Sequence, residues 1–263
     1  MNVIRSREND RVKAWMRLVS EPKERRERAA ALIEGIHLVE AYLAAGKSPA
    51  ALIVSESGMA KPEVAGLVAR AMLGPVVLAD PVFARLSDTG APVGIAAEIP
   101  LSEGRVDAAS SAACVFLEGI QDAGNVGAIL RSAAALGVKD ILHGHGCADP
   151  WSPKALRAGM GGHFVLRISV CENLAREVRR FAGQTLCTDA HGGHRLDSID
   201  LTGRTGWIFG SEGRGVSEEL AAAATRKVTI PTQAGVDSLN VAASAAICLY
   251  ERSRQLSRRG APG

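Results

Sequence analysis

Aromatic residues and cysteines are scarce in this chain of 263 residues. Aromatic side chains make up only 4% of it, which argues against a platform of stacked rings of the kind that binds single-stranded nucleic acid. The five cysteines are an odd number without a CxxC pair, so we expect reduced thiols rather than a disulfide framework. No apolar stretch approaches the roughly 20 residues of a membrane span, and the amino end has no apolar signal-peptide core. These absences predict a soluble, globular protein of the cytoplasm.

Potential metal ligands occur in two short groups, His143-Gly-His-Gly-Cys147 and His191-Gly-Gly-His194. The neighbouring glycines would leave these ligands on flexible loops, and structural zinc sites need four ligands held in place. No further cluster of ligands accompanies either group. We therefore expect ordinary loops here and no metal.

Basic residues are concentrated at the two ends of the chain. Lysine and arginine outnumber aspartate and glutamate by 31 to 28, so the net charge of +3 is small and its distribution matters more. Arg5, Arg7, Arg11 and Lys13 begin an amino-terminal basic segment in which glutamates are interleaved further along. Two interpretations stay open, namely solvated helix faces or contacts with the phosphates of a polyanion.

Two alternations of helix-like and strand-like segments predict two domains. Residues 1–100 predict a small α/β domain, residues 101–111 are rich in turn formers and predict a linker, and residues 112–263 form the second domain. In the second domain nearly continuous apolar strands, one of them over Phe164–Ile168, alternate with helices. This alternation predicts a parallel sheet covered on both faces, whose ligands gather at the carboxyl ends of the strands.

The last predicted helix runs from about Ser238 to Leu256. It places Leu239, Ala243, Ala246 or Ile247, and Tyr250 on one stripe, and its other faces are small and apolar as far as Cys248. Such a helix is expected to be buried on more than one side, and self-association is a natural consequence.

Three polar motifs follow apolar runs in the second domain. The first extends from Asn125, at the predicted amino end of a helix, to Arg131. The second is the glycine-rich loop Gly210–Gly215, and the third is the strand-to-helix turn Ile230–Asn240. Polar groups that converge at such turns are typical of a ligand site in an α/β protein.

Taken alone, each motif also allows a plain structural role. Ser238 and Asn240 are favoured helix caps, Glu212 is a common partner of a helix dipole, and Arg131 is an ordinary surface residue. The glycine loop offers backbone amides to a phosphate or close approach to a nucleoside. It is neither a Walker A motif nor a GxGxxG turn of a first βα unit, which disfavours a nucleotide hydrolase or a dehydrogenase.

In order and spacing, the three motifs resemble the signature motifs of the SpoU or TrmH family of RNA ribose 2′-O-methyltransferases, over residues 112–256. The resemblance implies an α/β fold with a deep carboxyl-terminal trefoil knot, which binds S-adenosylmethionine, and two protomers that pair to complete each site. It implies cofactor contacts at four positions, Thr188, Gly210, Ile230 and Leu239. It implies an active site made of five side chains, Asn125, Arg131, Glu212, Ser238 and Asn240.

The resemblance also implies roles for these side chains. A guanidinium stays protonated in proteins, so we expect Arg131 to hold the ribose hydroxyl oxygen and the adjoining phosphate rather than to remove a proton. Asn125, Ser238 and Asn240 would orient Arg131 and the ribose, and Glu212 would help to shape the cofactor loop. Thr232 stands where many members carry methionine, a departure from the family pattern that bears on the pocket shape and the choice of substrate.

The amino-terminal part resembles the RNA-binding substrate domain of the same family through Ser6–Lys13 and Ile33–Glu40. We therefore expect the four basic residues that open the chain to contact RNA. The predicted function is transfer of a methyl group from S-adenosylmethionine to a ribose 2′-hydroxyl in ribosomal or transfer RNA, with ribosomal RNA favoured. The alternatives are a noncatalytic RNA-binding or ribosome-assembly protein and, less favoured, a methyltransferase for a protein or a small molecule.

Overall fold

Two β-sheets organise the chain, and each belongs to its own compact unit in the computed structural model. The structure describes residues 2–88, 90–101, 105–189, 192–233 and 238–260. The first unit comprises Met1–Glu103 and Asp149–Phe164, and the second comprises Gly104–Ala148 and Val165–Gly263.

The helices and strands are numbered in chain order. They are β1 (Val3–Ile4), α1 (Asp10–Ser20), α2 (Pro22–Arg28), β2 (Ala30–Glu34), α3 (Ile36–Ala44), β3 (Ala51–Ser55), α4 (Glu56–Met59), α5 (Pro62–Ala71), β4 (Val76–Leu78), α6 (Asp80–Phe83), β5 (Ile95–Pro100), β6 (Ala113–Leu117), α7 (Ala123–Ala135), β7 (Asp140–Gly144), α8 (Pro153–Gly159), β8 (Arg167–Cys171), α9 (Leu174–Arg180), β9 (Gln184–Thr188), β10 (His194–Arg195), β11 (Thr205–Phe209), α10 (Glu218–Ala223), β12 (Arg226–Thr229) and α11 (Val241–Gly260).

The first unit is built on a mixed sheet with the strand order β1-β4-β3-β5-β2. Strands β1, β4 and β3 are parallel, whereas β5 runs antiparallel to both β3 and β2. Alternate residues of β3 enter different apolar clusters, since Leu52 and Val54 lie in one and Ala51 and Ile53 lie in the other. Both faces of this sheet are therefore covered, as the period of two along a strand requires.

Residues 149–164 connect β7 to β8 in the chain but fold with the first unit. Arg25 on α2 is 2% exposed, and its Nε donates to Asp149 Oδ2 at 2.7 Å. The same guanidinium donates through Nη1 to the carbonyl oxygens of Leu18 and Val19. A buried charge is tolerated only when it is paired and hydrogen-bonded, so this arginine and this aspartate depend on each other.

His163 lies in the same segment and is almost fully buried, with its Nε2 2.8 Å from the carbonyl oxygen of Pro150. Burial penalises the charged imidazolium and lowers the pKa of His163 to about 4. Between that value and the ordinary histidine pKa of about 6.5, the unfolded chain binds the proton and the folded chain does not. Acidification through this range therefore lowers the free energy of unfolding, because it protonates His163 in the unfolded chain only.

We predict that the free energy of unfolding falls by about 2 kcal/mol between pH 7.5 and pH 5 through His163 alone. Urea unfolding of the wild type and of His163→Gln, each at both pH values, measures this contribution as the difference between the two pH dependences. The variant should lose less stability on acidification. Equal losses in the two proteins would contradict the prediction.

The second unit is built on seven parallel strands in the order β10-β12-β9-β11-β6-β7-β8. Along β6, Val115 and Leu117 enter one apolar cluster, and Cys114 and Phe116 enter another. The predicted parallel sheet with two covered faces is confirmed. Val106 and Ala108, in the predicted linker, are buried in the cluster around Phe116, and the predicted domain boundaries stay a prediction.

The strand predicted over Phe164–Ile168 is wrong in its position. Residues 162–165 form a 3-10 helix, because Phe164 packs in the first unit with its ring edge-on to Tyr42, 5.1 Å between centroids. The strand begins only at Arg167, whose guanidinium makes two hydrogen bonds to the buried carboxylate of Asp140 on β7. Apolar residues on both sides of this junction made one run in the sequence, although they serve two different cores.

Helix α11 packs against α7 through one face and leaves a second apolar face open. Ala245, Cys248 and Leu249 are buried, whereas Ile247 is 39% and Tyr250 60% exposed. The expected burial on more than one side is thus not met within a single chain, and self-association stays a prediction. None of the helices in the described ranges has the length and apolar character that a membrane span requires.

Candidate active site

A cavity of about 560 Å³ lies at the carboxyl ends of β9, β11 and β12 in the second unit. Its walls include the four residues predicted to bind the cofactor. Thr188 ends β9, Gly210 directly follows β11, Ile230 directly follows β12, and Leu239 precedes α11. The parallel strands direct their carboxyl ends to one edge of the sheet, so residues far apart in sequence meet there.

The loop after β11 is closed on itself by backbone contacts. Ser211 and Gly215 exchange two backbone hydrogen bonds of 3.0 and 2.9 Å. A Cβ atom on Gly210 would lie 2.2 Å from the carbonyl carbon and oxygen of Gly215 and 2.3 Å from the nitrogen of Val216. Only glycine at position 210 allows this close approach of the two ends of the loop. The loop therefore presents a compact rim to the cavity.

Glu118 directly follows β6 and holds the carboxyl-terminal side of this loop by hydrogen bonds to Ser217. Its carboxylate accepts hydrogen bonds of 2.7 Å from both the backbone nitrogen and the hydroxyl of Ser217. The Ser217 hydroxyl oxygen also accepts from Leu220 N and so caps α10. Sequence reasoning missed this role of Glu118, although an acidic residue at the end of a neighbouring parallel strand was an available signal.

We predict that Glu118→Ala weakens cofactor binding about 3- to 30-fold, because two charge-assisted hydrogen bonds to the loop are lost at a partly exposed site. Glu118→Gln should restore part of the affinity, since its amide oxygen still accepts from Ser217. Calorimetry measures the affinities, and hydrogen exchange of residues 211–217 should rise in the alanine variant. Unchanged exchange in this loop would contradict the assignment.

Three of the predicted active-site side chains form one hydrogen-bonded chain. Asn240 Oδ1 accepts from the backbone nitrogens of Ala242 and Ala243 at 2.9 and 3.2 Å, which fixes the orientation of its amide. Its Nδ2 donates to Asn125 Oδ1 at 3.1 Å, and Asn125 Nδ2 donates to Glu212 Oε1 at 2.6 Å. The backbone at the amino end of α11 therefore fixes which atom donates and which accepts in each hydrogen bond from Asn240 to Glu212.

The predicted cap of α7 is wrong, and of the two candidate caps of the last helix only Asn240 fills that role. Helix α7 begins at Ala123 and its cap is Asp122, whose carboxylate accepts from the backbone nitrogen of Asn125. Asn125 consequently lies in the first turn, and its side chain is free to join the polar chain. At the last helix the capping side chain is Asn240, while Ser238 lies on the cavity wall.

Arg131 does not reach the cavity of its own chain. It lies on the exposed surface of α7, and its guanidinium forms no hydrogen bond or ion pair among the described residues. The predicted orientation of Arg131 by Asn125, Ser238 and Asn240 therefore has no counterpart within one protomer. The other predicted active-site residues, by contrast, gather at the mouth of the cavity.

The four basic residues predicted to bind RNA lie in the first unit, and three of them face carboxylates. Arg5 forms two hydrogen bonds to Glu56, and Glu8 lies 2.8 Å from Lys13 and 3.5 Å from Arg7. The guanidinium of Arg11 lies 5.1 Å from the ring centroid of Trp15. Exposed pairs of this kind are weak and exchange readily with phosphate, so these contacts leave the predicted role open.

The histidine and cysteine groups offer no metal geometry in the part of the chain that the structure describes, where no three potential ligands cluster. His143 is buried at the end of β7, and the thiol of Cys147 donates to the carbonyl oxygen of Leu117 at 3.4 Å. His191 lies outside the described residues.

Comparison with known proteins agrees with this geometry. Residues 112–250 match the SpoU rRNA Methylase family, and residues 9–97 match the MRM3-like substrate binding domain. The chain belongs to the SpoU rRNA methylase family. The first match covers the sheet and the cavity of the second unit, and the second covers most of the first sheet, so the resemblance drawn from the three motifs is confirmed.

Individual relatives of this SpoU methylase extend over nearly the whole chain. An uncharacterised tRNA/rRNA methyltransferase of Synechocystis is 33% identical, over 99% of this chain and 96% of its own. The 23S rRNA (guanosine(2553)-2′-O)-methyltransferase of Bacillus subtilis is 30% identical, over 95% of this chain and 98% of its own. The AdoMet-bound rRNA methyltransferase of Sinorhizobium meliloti superimposes with a TM-score of 0.82 at 27% identity, over 97% of this chain and 98% of its own.

The predicted fold class is confirmed by these matches and by the two sheets. A methyltransferase domain with a parallel sheet follows an amino-terminal substrate-binding domain.

Proposed function

We propose that this SpoU methylase transfers a methyl group from S-adenosylmethionine to a ribose 2′-hydroxyl in RNA, with ribosomal RNA favoured over transfer RNA. The observation that carries the proposal is the hydrogen-bonded chain of Asn240, Asn125 and Glu212 at the mouth of the cavity. It joins all three motifs of the family in one polar surface. The Bacillus subtilis relative, named for ribose methylation of 23S rRNA, supports the choice of substrate class.

The residues around the cavity fit S-adenosylmethionine. The volume of about 560 Å³ falls within the range of small-molecule sites, about 300–1,000 Å³. Ile230, Leu239 and Val241 offer apolar surface, and the ends of β9 and β11 offer backbone groups for an adenosyl moiety. We propose that Thr188, Gly210, Ile230 and Leu239 hold the cofactor, which supplies an electrophilic methyl group when bound.

The remaining polar side chains are suited to hold the ribose. Methyl transfer requires the attacking oxygen in line with the bond that breaks, and fixed positioning contributes several kcal/mol to lowering the barrier. Asn125 and Asn240 are locked by their own hydrogen bonds, and Ser238 adds a hydroxyl on the same wall. These side chains orient the sugar, while the closed loop after β11 excludes water from one side.

A second protomer is part of the proposal. Leu239, Ala243, Ile247 and Tyr250 form an exposed apolar stripe at and along α11, and Arg131 lies on the neighbouring α7 without a partner among the described residues. A homodimer formed through this stripe would bury it and bring Arg131 of the partner subunit to the polar chain. There the guanidinium would hold the ribose oxygen and the adjoining phosphate. The trefoil knot of the family is proposed for this chain as well.

The first unit is proposed to bind the RNA through Arg5, Arg7, Arg11 and Lys13. Their carboxylate partners are the exposed Glu8 and the half-buried Glu56, and ion pairs so close to the surface are weak enough for phosphates to replace these carboxylates. The five free thiols agree with a cytoplasmic location, where cysteines stay reduced.

The decisive experiment incubates the protein with labelled S-adenosylmethionine and each class of unmodified RNA. Ribose methylation is mapped by the resistance of the methylated position to alkaline cleavage, and RNA from cells with and without the protein identifies the natural site. Absence of ribose methylation in every class of RNA, despite cofactor binding shown by calorimetry, would overturn the proposal in favour of a noncatalytic RNA-binding protein.

A further inference from the structure

We propose that Glu212 is the group that accepts the proton of the ribose 2′-hydroxyl. The inference rests on the proposed function and goes beyond it, because it assigns the base of the reaction. In the transfer, a lone pair of the ribose oxygen forms the new bond to the methyl carbon. The electron pair of the broken carbon–sulfur bond stays on sulfur, and the hydroxyl proton passes to the Glu212 carboxylate and then to water.

The chemistry of the cavity wall singles out this carboxylate. Among the described residues on the wall, the side chains that gain or lose protons are Cys187, Asp189, Glu212, Arg214 and Lys227. Arginine and lysine are charged donors and do not accept a proton at neutral pH. Burial raises the pKa of the Cys187 thiol to about 11, so it is protonated as well. Two carboxylates remain.

Asp189 is engaged elsewhere. Its Oδ2 lies 3.2 Å from Lys227 Nζ, at the cavity edge formed by β9 and β12. Glu212, by contrast, is bonded to Asn125 and through it to Asn240, the two side chains proposed to hold the ribose. The base and the groups that orient its substrate thus belong to one network.

The hydrogen bonds of this network leave one oxygen of Glu212 available to accept the proton of the ribose hydroxyl. Asn125 Nδ2 donates to Oε1, and no side-chain hydrogen bond within the described residues is made to Oε2. The amide orientation of Asn125 is fixed by Asn240, so Asn125 presents its Nδ2 donor, and not its oxygen, to the carboxylate of Glu212. One carboxylate oxygen is held while the other is left for the hydroxyl.

Substitution by glutamine separates acceptance of a proton from positioning. In Glu212→Gln the amide oxygen still accepts from Asn125, whereas the side chain no longer takes up a proton. If Glu212 is the base, single-turnover methylation of the identified RNA should fall about 10²–10⁴-fold in both Glu212→Gln and Glu212→Ala. Affinities for S-adenosylmethionine and for RNA, measured by calorimetry and fluorescence anisotropy, should stay within about threefold in the glutamine variant.

Glu219→Gln is the matched control, because Glu219 is an exposed carboxylate on α10 whose side chain forms no hydrogen bond or ion pair among the described residues. We expect nearly wild-type turnover of this variant. Turnover of Glu212→Gln within about fivefold of wild type would overturn the proposal and leave Glu212 a positioning residue. A larger loss in Glu219→Gln than in Glu212→Gln would also overturn it. Failure of the wild type to methylate any RNA would instead refute the proposed function, so the two failures are distinguishable.

Discussion

Replacing Arg131 with alanine is expected to lower the rate of methyl transfer about 10²–10³-fold while the affinity for S-adenosylmethionine changes less than about twofold. The loss corresponds to removal of one preorganised donor that holds the reacting oxygen and its neighbouring phosphate. Arg131 is absent from the cavity wall and is exposed on α7, so the cofactor should bind as before. Single-turnover kinetics and calorimetry measure the two quantities.

Arg179 offers a matched control for this substitution. It is likewise an exposed arginine on a helix of the second unit, α9, and its guanidinium forms no hydrogen bond or ion pair among the described residues. Arg179→Ala should therefore leave turnover unchanged. An equal loss of cofactor binding in Arg131→Ala would show that the arginine supports the pocket and not the reaction.

A mixed dimer tests whether Arg131 acts across the interface. Arg131→Ala and Asn240→Ala homodimers should both be nearly inactive. In a heterodimer of the two variants, the subunit with intact Asn240 receives the intact Arg131 of its partner, so one of the two sites is complete. Activity should return to about half of the wild type if the arginine acts in trans, and no activity should return if it acts within its own subunit.

The sequence predicted the elements whose signal is local. Strand β6 is a continuous apolar run and β11 ends in one, Trp207–Phe209, and both were predicted as strands because buried parallel strands have that composition. Helix α2 was missed, since its seven residues are one proline and six charged side chains with no apolar stripe. Its buried Arg25 is stabilised by Asp149, 124 residues away, and no pattern within a helix reports such a partner. Strand β10, two exposed residues long, was missed for the same lack of local signal.

For the candidate site, the sequence likewise predicted the positions of residues but not the contacts between them. The positions of Gly210, Glu212 and Asn240 followed from motifs, because each motif comes after an apolar run. The contacts among them did not follow. Ser217 and Glu118 lie 99 residues apart and Asn240 and Asn125 lie 115 apart, so their pairing depends on the strand order of the folded sheet. Sequence spacing alone also placed Asn125 at a helix cap, where the structure has Asp122.

Gly210→Ala is expected to weaken binding of S-adenosylmethionine about 10- to 100-fold. The added methyl group would meet the backbone of Gly215 at 2.2 Å, and backbone atoms cannot move aside as a flexible side chain can. Relief of the clash must open the loop and break the reciprocal bonds between Ser211 and Gly215. Overpacking of this kind costs about 1–3 kcal/mol, which is the basis of the expected loss of affinity. Calorimetry measures it directly.

Gly213→Ala provides the control in the same loop. A Cβ atom at position 213 meets nothing within 4 Å, and its backbone conformation is open to other residues, so affinity should stay within about twofold of wild type. The contrast between the two variants isolates the close approach at Gly210 from any general effect of alanine in a glycine loop. Equal losses at both positions would mean that the loop must flex to admit the cofactor, and equal retention would mean that the contact between Gly210 and Gly215 does not shape the pocket.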